Sequence, residues 1–256
     1  MKLKEFTAPL LFLILFIISW DLLIRVFDIN QFTLPAPLAV LESIKTNFSE
    51  LLSAGTNSFL IAISGFILSL IIGIIIGLIM SQSRIIEKSL YPYAIFLQCV
   101  PIVALAPIII LWFGYGLPAM ILISFIISLF PIITSTVNGL TSIKQDYLDL
   151  MKLYNASPKQ ILFKVRFPSA IPYIITGAKV SAGLSVVGAI IGEYFAGLSG
   201  KARGLAYLIR STEQNADFPY MFATIITAAL LGLVIFSLTG LTSNQIIKRW
   251  HFQERK

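Results

Sequence analysis

Charge is scarce in this chain. Only 12% of its 256 residues are Asp, Glu, Lys or Arg, about half the ~25% typical of a soluble domain. There is one cysteine, Cys99, and one histidine, His251. A disulfide within the chain is therefore excluded, and so is a Cys/His metal cluster. No nucleophile, base and orienting partner can be assembled from so few candidates, which argues against a membrane enzyme. The net charge of +7 does not point to nucleic acid either, because the cations sit in loops between long apolar runs.

Those runs dominate what is present. Hydrophobic residues make up 57% of the chain, arranged in stretches of about 20, enough for a helix to cross a ~30 Å hydrocarbon core. The pattern predicts an all-α polytopic membrane protein with six transmembrane helices, at about 8–27, 57–80, 88–113, 118–140, 169–196 and 218–247. The opening "MKLKEFTAPLLFLILFIISW" lacks a small-residue cleavage site and reads as a retained anchor. Pro101 and Pro107 predict a kink or break in the third span. Residues 1–256 are expected to form one transmembrane domain with its core at 57–247, leaving no room for a second soluble domain.

The cations set an orientation. With both termini placed in the cytoplasm, thirteen Lys and Arg residues lie inside and four outside (Lys45, Lys201, Arg203 and Arg210). Arg25 and Lys179 fall in or beside spans. This is the positive-inside pattern, and it places the segment between spans four and five on the cytoplasmic face.

That segment, 141–168, contains "LYNASPKQILFKVRFPSAIP". It predicts two short helices and a tight turn. The first runs from about Gln145 to Tyr154. Asn155 stands where it must stop, a position that favours left-handed backbone. Ser157-Pro158 reads as a capping hydroxyl followed by proline in the first helical position. The second helix is expected to end near Val165, with Phe167-Pro168 leading back to the membrane. By physics alone, a solvated loop and a docking handle are equally compatible with this pattern.

"DLMKLYNASPKQILFKVRFPSAIPYIITGAK" resembles the signature EAA loop of ABC-importer permeases. Asp149 falls on the family's Glu, Leu150 and Met151 on its two alanines, and Asn155 on its Gly. Ala156 and Ser157 match directly, and Phe167-Pro168 falls on Leu-Pro. "LPAPLAVLESI", "LQCVPIVALAPIIILWFGYG", "FPIITSTVNGL" and "VVGAIIGEYFAGLSGKARGLAYLI" extend the likeness over about 34–247 in one collinear order. They are similar to the nitrate/sulfonate/taurine branch, which also holds permeases for thiamine precursors and riboflavin. Relatives often carry an Arg four residues before Gly65-Phe66; here that residue is Ile61. The resemblance implies a type I importer permease fold in the bacterial inner membrane. It implies that 141–168 is a coupling loop, with Asp149, Leu150, Met151, Asn155, Ala156, Ser157, Phe163 and Pro168 docking on a separate ATP-binding cassette subunit. It also implies two such subunits holding ATP and Mg²⁺, an external periplasmic or lipid-anchored binding protein, and a homodimer of this chain. No cofactor or metal is expected in the chain itself.

Three further positions are candidates for the translocation path. Glu193 is the one acidic residue inside a late span, where a charge is costly; it reads either as a gate residue or as an outer-end carboxylate satisfied locally. Gln98, beside Pro101, either lines the path or bonds a freed carbonyl. Asp21 and Arg25 are spaced as a local helix pair, and Gly73 and Gly77 as a close-packing motif. "GLSGKARG" at 197–204 lacks the spacing of a phosphate-binding loop; its cations are candidates for contact with a binding protein. An ion-coupled secondary transporter is the competing class, disfavoured by the scarcity of membrane carboxylates and the lack of a visible inverted repeat.

Overall fold

The computed structural model describes residues 2–197 and 203–250. Its elements run α1 (Lys2–Val26), α2 (Pro37–Thr46), α3 (Phe48–Met80), α4 (Arg84–Cys99), α5 (Ile102–Phe113), α6 (Leu117–Thr141), α7 (Gln145–Leu153), α8 (Pro158–Ile161), a π-helical turn (Leu162–Arg166), α9 (Phe167–Ala196), α10 (Leu205–Gln214) and α11 (Phe218–Trp250). Among the described residues, five helical segments are long and apolar enough to cross a membrane, and α4 with α5 makes a sixth if counted as one bent span.

Three expectations need correction. The break expected in the third span is present, as two helices meeting at 95°, but only one of the two prolines makes it. The break lies at Val100-Pro101 alone: Pro101 fixes its own φ at −62° and Val100 is extended, as the residue before proline must be. Pro107 sits inside α5 without interrupting it. The fifth span does not begin at Phe167-Pro168. The chain is helical from Pro158 to Ala196, because the π turn just before Pro168 widens the helix where its ring would meet the carbonyl four residues back. Finally, α3 starts at Phe48 rather than near 57, and two helices, α2 and α10, were not foreseen. All three feed one cluster in which Val40, Leu51, Ala54, Leu205, Leu208 and Tyr220 are buried. That cluster closes the end of the bundle far from the α7–α8 loop.

The core is a stack of α3, α6 and α9 with α6 in the middle. Small residues let the backbones approach. A Cβ on Gly77 would stand 2.6 Å from the Thr136 side chain, and one on Gly188 2.6 Å from the Ser124 Cα. Gly73 meets Ile132 in the same way, so the Gly73/Gly77 motif forms the α3–α6 contact. Buried hydroxyls then tie the three helices together. Ser69 and Ser128 share a hydrogen bond at 2.6 Å. Ser124 donates to the Ser185 carbonyl at 2.8 Å, and Ser181 to the Ser128 carbonyl at 2.7 Å. With no water in hydrocarbon, such interhelical bonds and close packing replace the hydrophobic drive of soluble cores.

By contrast, the apolar window of α1 buries nothing within the chain. It touches the rest through Trp20, whose ring lies 6.3 Å from that of Phe222. Asp21 and Arg25 pair on it at 2.7 Å.

Candidate functional site

The α7–α8 connection is built from two caps set back to back. At the end of α7 the Asn155 N–H bonds the Lys152 carbonyl and the Ala156 N–H bonds the Met151 carbonyl. Asn155 has φ +50°. This double bond pattern with a left-handed residue is a Schellman cap. Directly after it, Ser157 opens α8 with a reciprocal capping box. The Ser157 N–H donates to Gln160 Oε1 at 2.8 Å, and the Gln160 N–H donates to Ser157 Oγ at 3.3 Å. Pro158 follows in the first helical turn. Gln160 was not singled out from sequence, though its three-residue spacing from Ser157 is the mark of a capping box.

Asp149 lies on the exposed side of α7 and accepts from Lys152 Nζ at 3.0 Å and Gln145 Nε2 at 3.1 Å. The hydrogen bond from Lys152, then that from Gln145, hold its carboxyl below its ordinary pKa. Around it the loop leaves large apolar side chains in the open: Leu150 is 49% exposed, Phe163 64%, Tyr154 78% and Leu153 81%. No residue of α7 is buried. Apolar side chains clustered at this exposure mark a contact surface for another protein or for lipid. Met151 and Pro168 are partly covered, while Ala156 is half-buried between the two caps.

Gln98 and Pro101 are exposed on either side of the α4–α5 break, with Cys99 between them. Glu193 is placed differently. Only 2% of it is exposed, and its Oε2 accepts the Ala206 N–H at 3.0 Å. The neighbouring Leu205 N–H donates to Ser58 Oγ of α3 at 2.9 Å. Two of the free N–H groups at the start of α10 are thus satisfied from α9 and α3. Ser58 was missed from sequence, because its partner lies 147 residues away. In the 197–204 segment, residues 198–202, including Lys201, lie outside the described residues, as does His251. Arg203 stacks over Tyr207, and Arg210 over Tyr194, at 5.2 and 5.9 Å from the ring centres.

This architecture matches solved structures. A chain of the MetNI methionine ABC transporter, in an inward-facing conformation, superposes with a TM-score of 0.64 at 17% identity, covering 80% of this chain and 98% of that one. Among sequences, a probable ABC transporter permease protein of Haemophilus influenzae is 32% identical over 89% of this chain and 91% of its own length. The formylaminopyrimidine transport permease protein ThiX of Halalkalibacterium halodurans is 30% identical over 90% of each. The riboflavin transport system permease protein RibX of Chloroflexus aurantiacus is 32% identical over 93% of this chain and 88% of its own. Residues 69–248 match the family described as binding-protein-dependent transport system inner membrane component, and the chain belongs to that family, as the non-catalytic membrane-spanning permease subunit of an ABC importer.

Proposed function

We propose that two copies of this chain pair about an axis along the membrane normal and enclose a path for a small solute between them. Each copy presents its 141–168 loop to one of two ATP-binding cassette subunits, which hold the ATP and Mg²⁺. Asp149, Leu150, Met151, Asn155, Ala156, Ser157, Phe163 and Pro168 form or shape the docking surface. The membrane is the bacterial inner membrane, with both termini and the loop on the cytoplasmic side, as the positive-inside pattern favours. An external binding protein, periplasmic or lipid-anchored, meets the far end near Arg203 and Arg210.

The exposed apolar side of α7 carries this reading, because it projects from a turn whose backbone two caps hold rigid. A load applied there has a short route inward. Helix is continuous from Pro158 to Ala196, and α9 is tied to α6 through Ser181 and Ser128. Closure of the ATPase pair would draw the two loops together and tilt α9 and α6, switching access from one side to the other. Gln98 and Pro101, exposed at the break, are the path candidates; Glu193 serves mainly to hold α10. Ion coupling is not favoured, since the chain belongs to the binding-protein-dependent permease family and its relatives are transport permeases of that kind. The solute is nitrate-, sulfonate- or taurine-like or a vitamin precursor; relatives named for formylaminopyrimidine, riboflavin, aliphatic sulfonates and nitrate support that range.

The test is gentle purification of tagged protein from its native membrane and mass spectrometry of what accompanies it. A stoichiometric ATP-binding subunit, lost in Ala156→Asp, is the expected result. A homomer with no ATPase would overturn the proposal.

A further inference from the structure

A cavity of about 690 Å³ opens where α3, α4 and α6 end or begin beside α7 and the π turn. Three cations line it: Arg84 and Lys88 from α4, and Arg166 from the π turn. Glu87 is the one acidic side chain among its lining residues. Among the described residues, neither Arg84, Lys88 nor Arg166 forms an ion pair. Arg166 spends one N–H on the Ser81 carbonyl, at a long 3.4 Å, which leaves most of its five donors free.

The surplus of positive charge in one concavity sets the class of ligand. Planar guanidiniums from α4 and the π turn, with the Lys88 ammonium one helical turn from Arg84, suit the several acceptor oxygens of a phosphate group. The depth of the cavity sets its setting. Its walls are the residues just past the last turn of α3, the first turn of α4 and the last turn of α6. That is the level at which spans leave hydrocarbon, where basic pockets between helices meet lipid headgroups. Leu140 and Leu148 add an apolar side to the same cavity, suited to the first methylenes of an acyl chain.

We infer that this cavity binds a phosphate group, brought by an anionic phospholipid or by a free phosphate compound. The site is separate from the exposed apolar side of α7. It does not depend on which side of the membrane the loop occupies, because a phosphodiester headgroup is present in both leaflets. An occupied cavity would brace the root of the loop by bridging α4 to the start of α9.

The test uses the full-length chain with whatever subunits co-purify, taken into detergent with equal phosphatidylglycerol and phosphatidylcholine and examined by native mass spectrometry. Selective retention of phosphatidylglycerol is expected. Each cation neutralised (Arg84→Gln, Lys88→Gln, Arg166→Gln) should weaken it roughly fivefold, at about 1 kcal/mol per cation. Arg84→Lys with Arg166→Lys should keep most of it, and Glu87→Gln should strengthen it. If inorganic phosphate, in delipidated protein, raises the melting temperature of wild type but not of the triple variant, while phosphatidylglycerol is not selected, the source is a free phosphate. Equal retention of both lipids by wild type and the well-folded triple variant, with no phosphate effect, would overturn the inference. So would loss of a co-purifying ATPase from the triple variant with lipid retention unchanged, since the cations would then be a protein contact. If the triple variant does not fold, Glu87→Gln and the lysine pair decide alone: no rise in the first, with no phosphate effect on wild type, would overturn it.

Discussion

Glu193 of α9 accepts the backbone N–H of Ala206 at the start of α10, at 3.0 Å, inside the protein. An acidic residue within a span is thereby used as the cap of α10, a helix packed against α9, α11 and α3. Gly204 stands just before it, and a Cβ there would collide with the Glu193 carboxylate.

Glu193→Leu should therefore loosen α10 and lower stability by about 1–3 kcal/mol, the range for a buried donor left unsatisfied. Glu193→Gln keeps an acceptor in place and should lose less. Thermal unfolding in detergent separates the two. Equal losses for Gln and Leu would show that the charge, not the cap, matters. Gly204→Ala should resemble the Leu variant.

At the loop, Asn155 has left-handed backbone. Asn155→Gly should be tolerated. Asn155→Val should cost about 1–2 kcal/mol locally and weaken ATPase pull-down without changing membrane insertion. A full-strength pull-down by the valine variant would separate turn geometry from docking.

Asp149 carries a carboxyl held below its ordinary pKa by Lys152 and Gln145. A depressed carboxylate contributes its pairing above the unfolded value of about 3.8 and loses it as pH falls through the lowered one. ATPase association should accordingly be flat in this group between about pH 5 and 8. Asp149→Lys should weaken association with insertion intact, and an unchanged detergent pull-down would count against its docking role.

Gly77 packs where a Cβ would meet Thr136. Gly77→Ala should lower stability by about 1–3 kcal/mol through overpacking. Adding Thr136→Gly removes the colliding Cβ and should restore part of that loss. A second substitution that only deepens the defect would mean the two helices do not meet here.

Cys99 is the one cysteine of the chain and is exposed beside the α4–α5 break. If the break lines the path, a membrane-impermeant maleimide should label it, and labelling should change when ATP is added to the assembled importer. A thiol silent in every state would place the break against lipid.

The loop was readable in the residues because its determinants are local. Asn155, Ser157 and Pro158 each act on backbone within three residues, and turn chemistry leaves little choice there. Asp149's partners were equally local but hidden among exposed polar residues, any of which has several rotamers. The π turn was less legible. A proline signals a broken helix, but whether the chain bends or widens depends on what packs beside it, and in this fold α9 stays straight enough to run on from α8.

By itself the sequence determined which stretches are apolar enough to cross a membrane and how the loop turns, because hydrophobic length and capping are properties of short stretches. Only the tertiary structure decided that Ser69, Ser124, Ser128 and Ser181 bind helices together, that Glu193 caps α10, and that Arg84, Lys88 and Arg166 share one cavity. Each of these joins residues far apart in the chain, and in a bundle of similar apolar helices, periodicity does not say which faces meet.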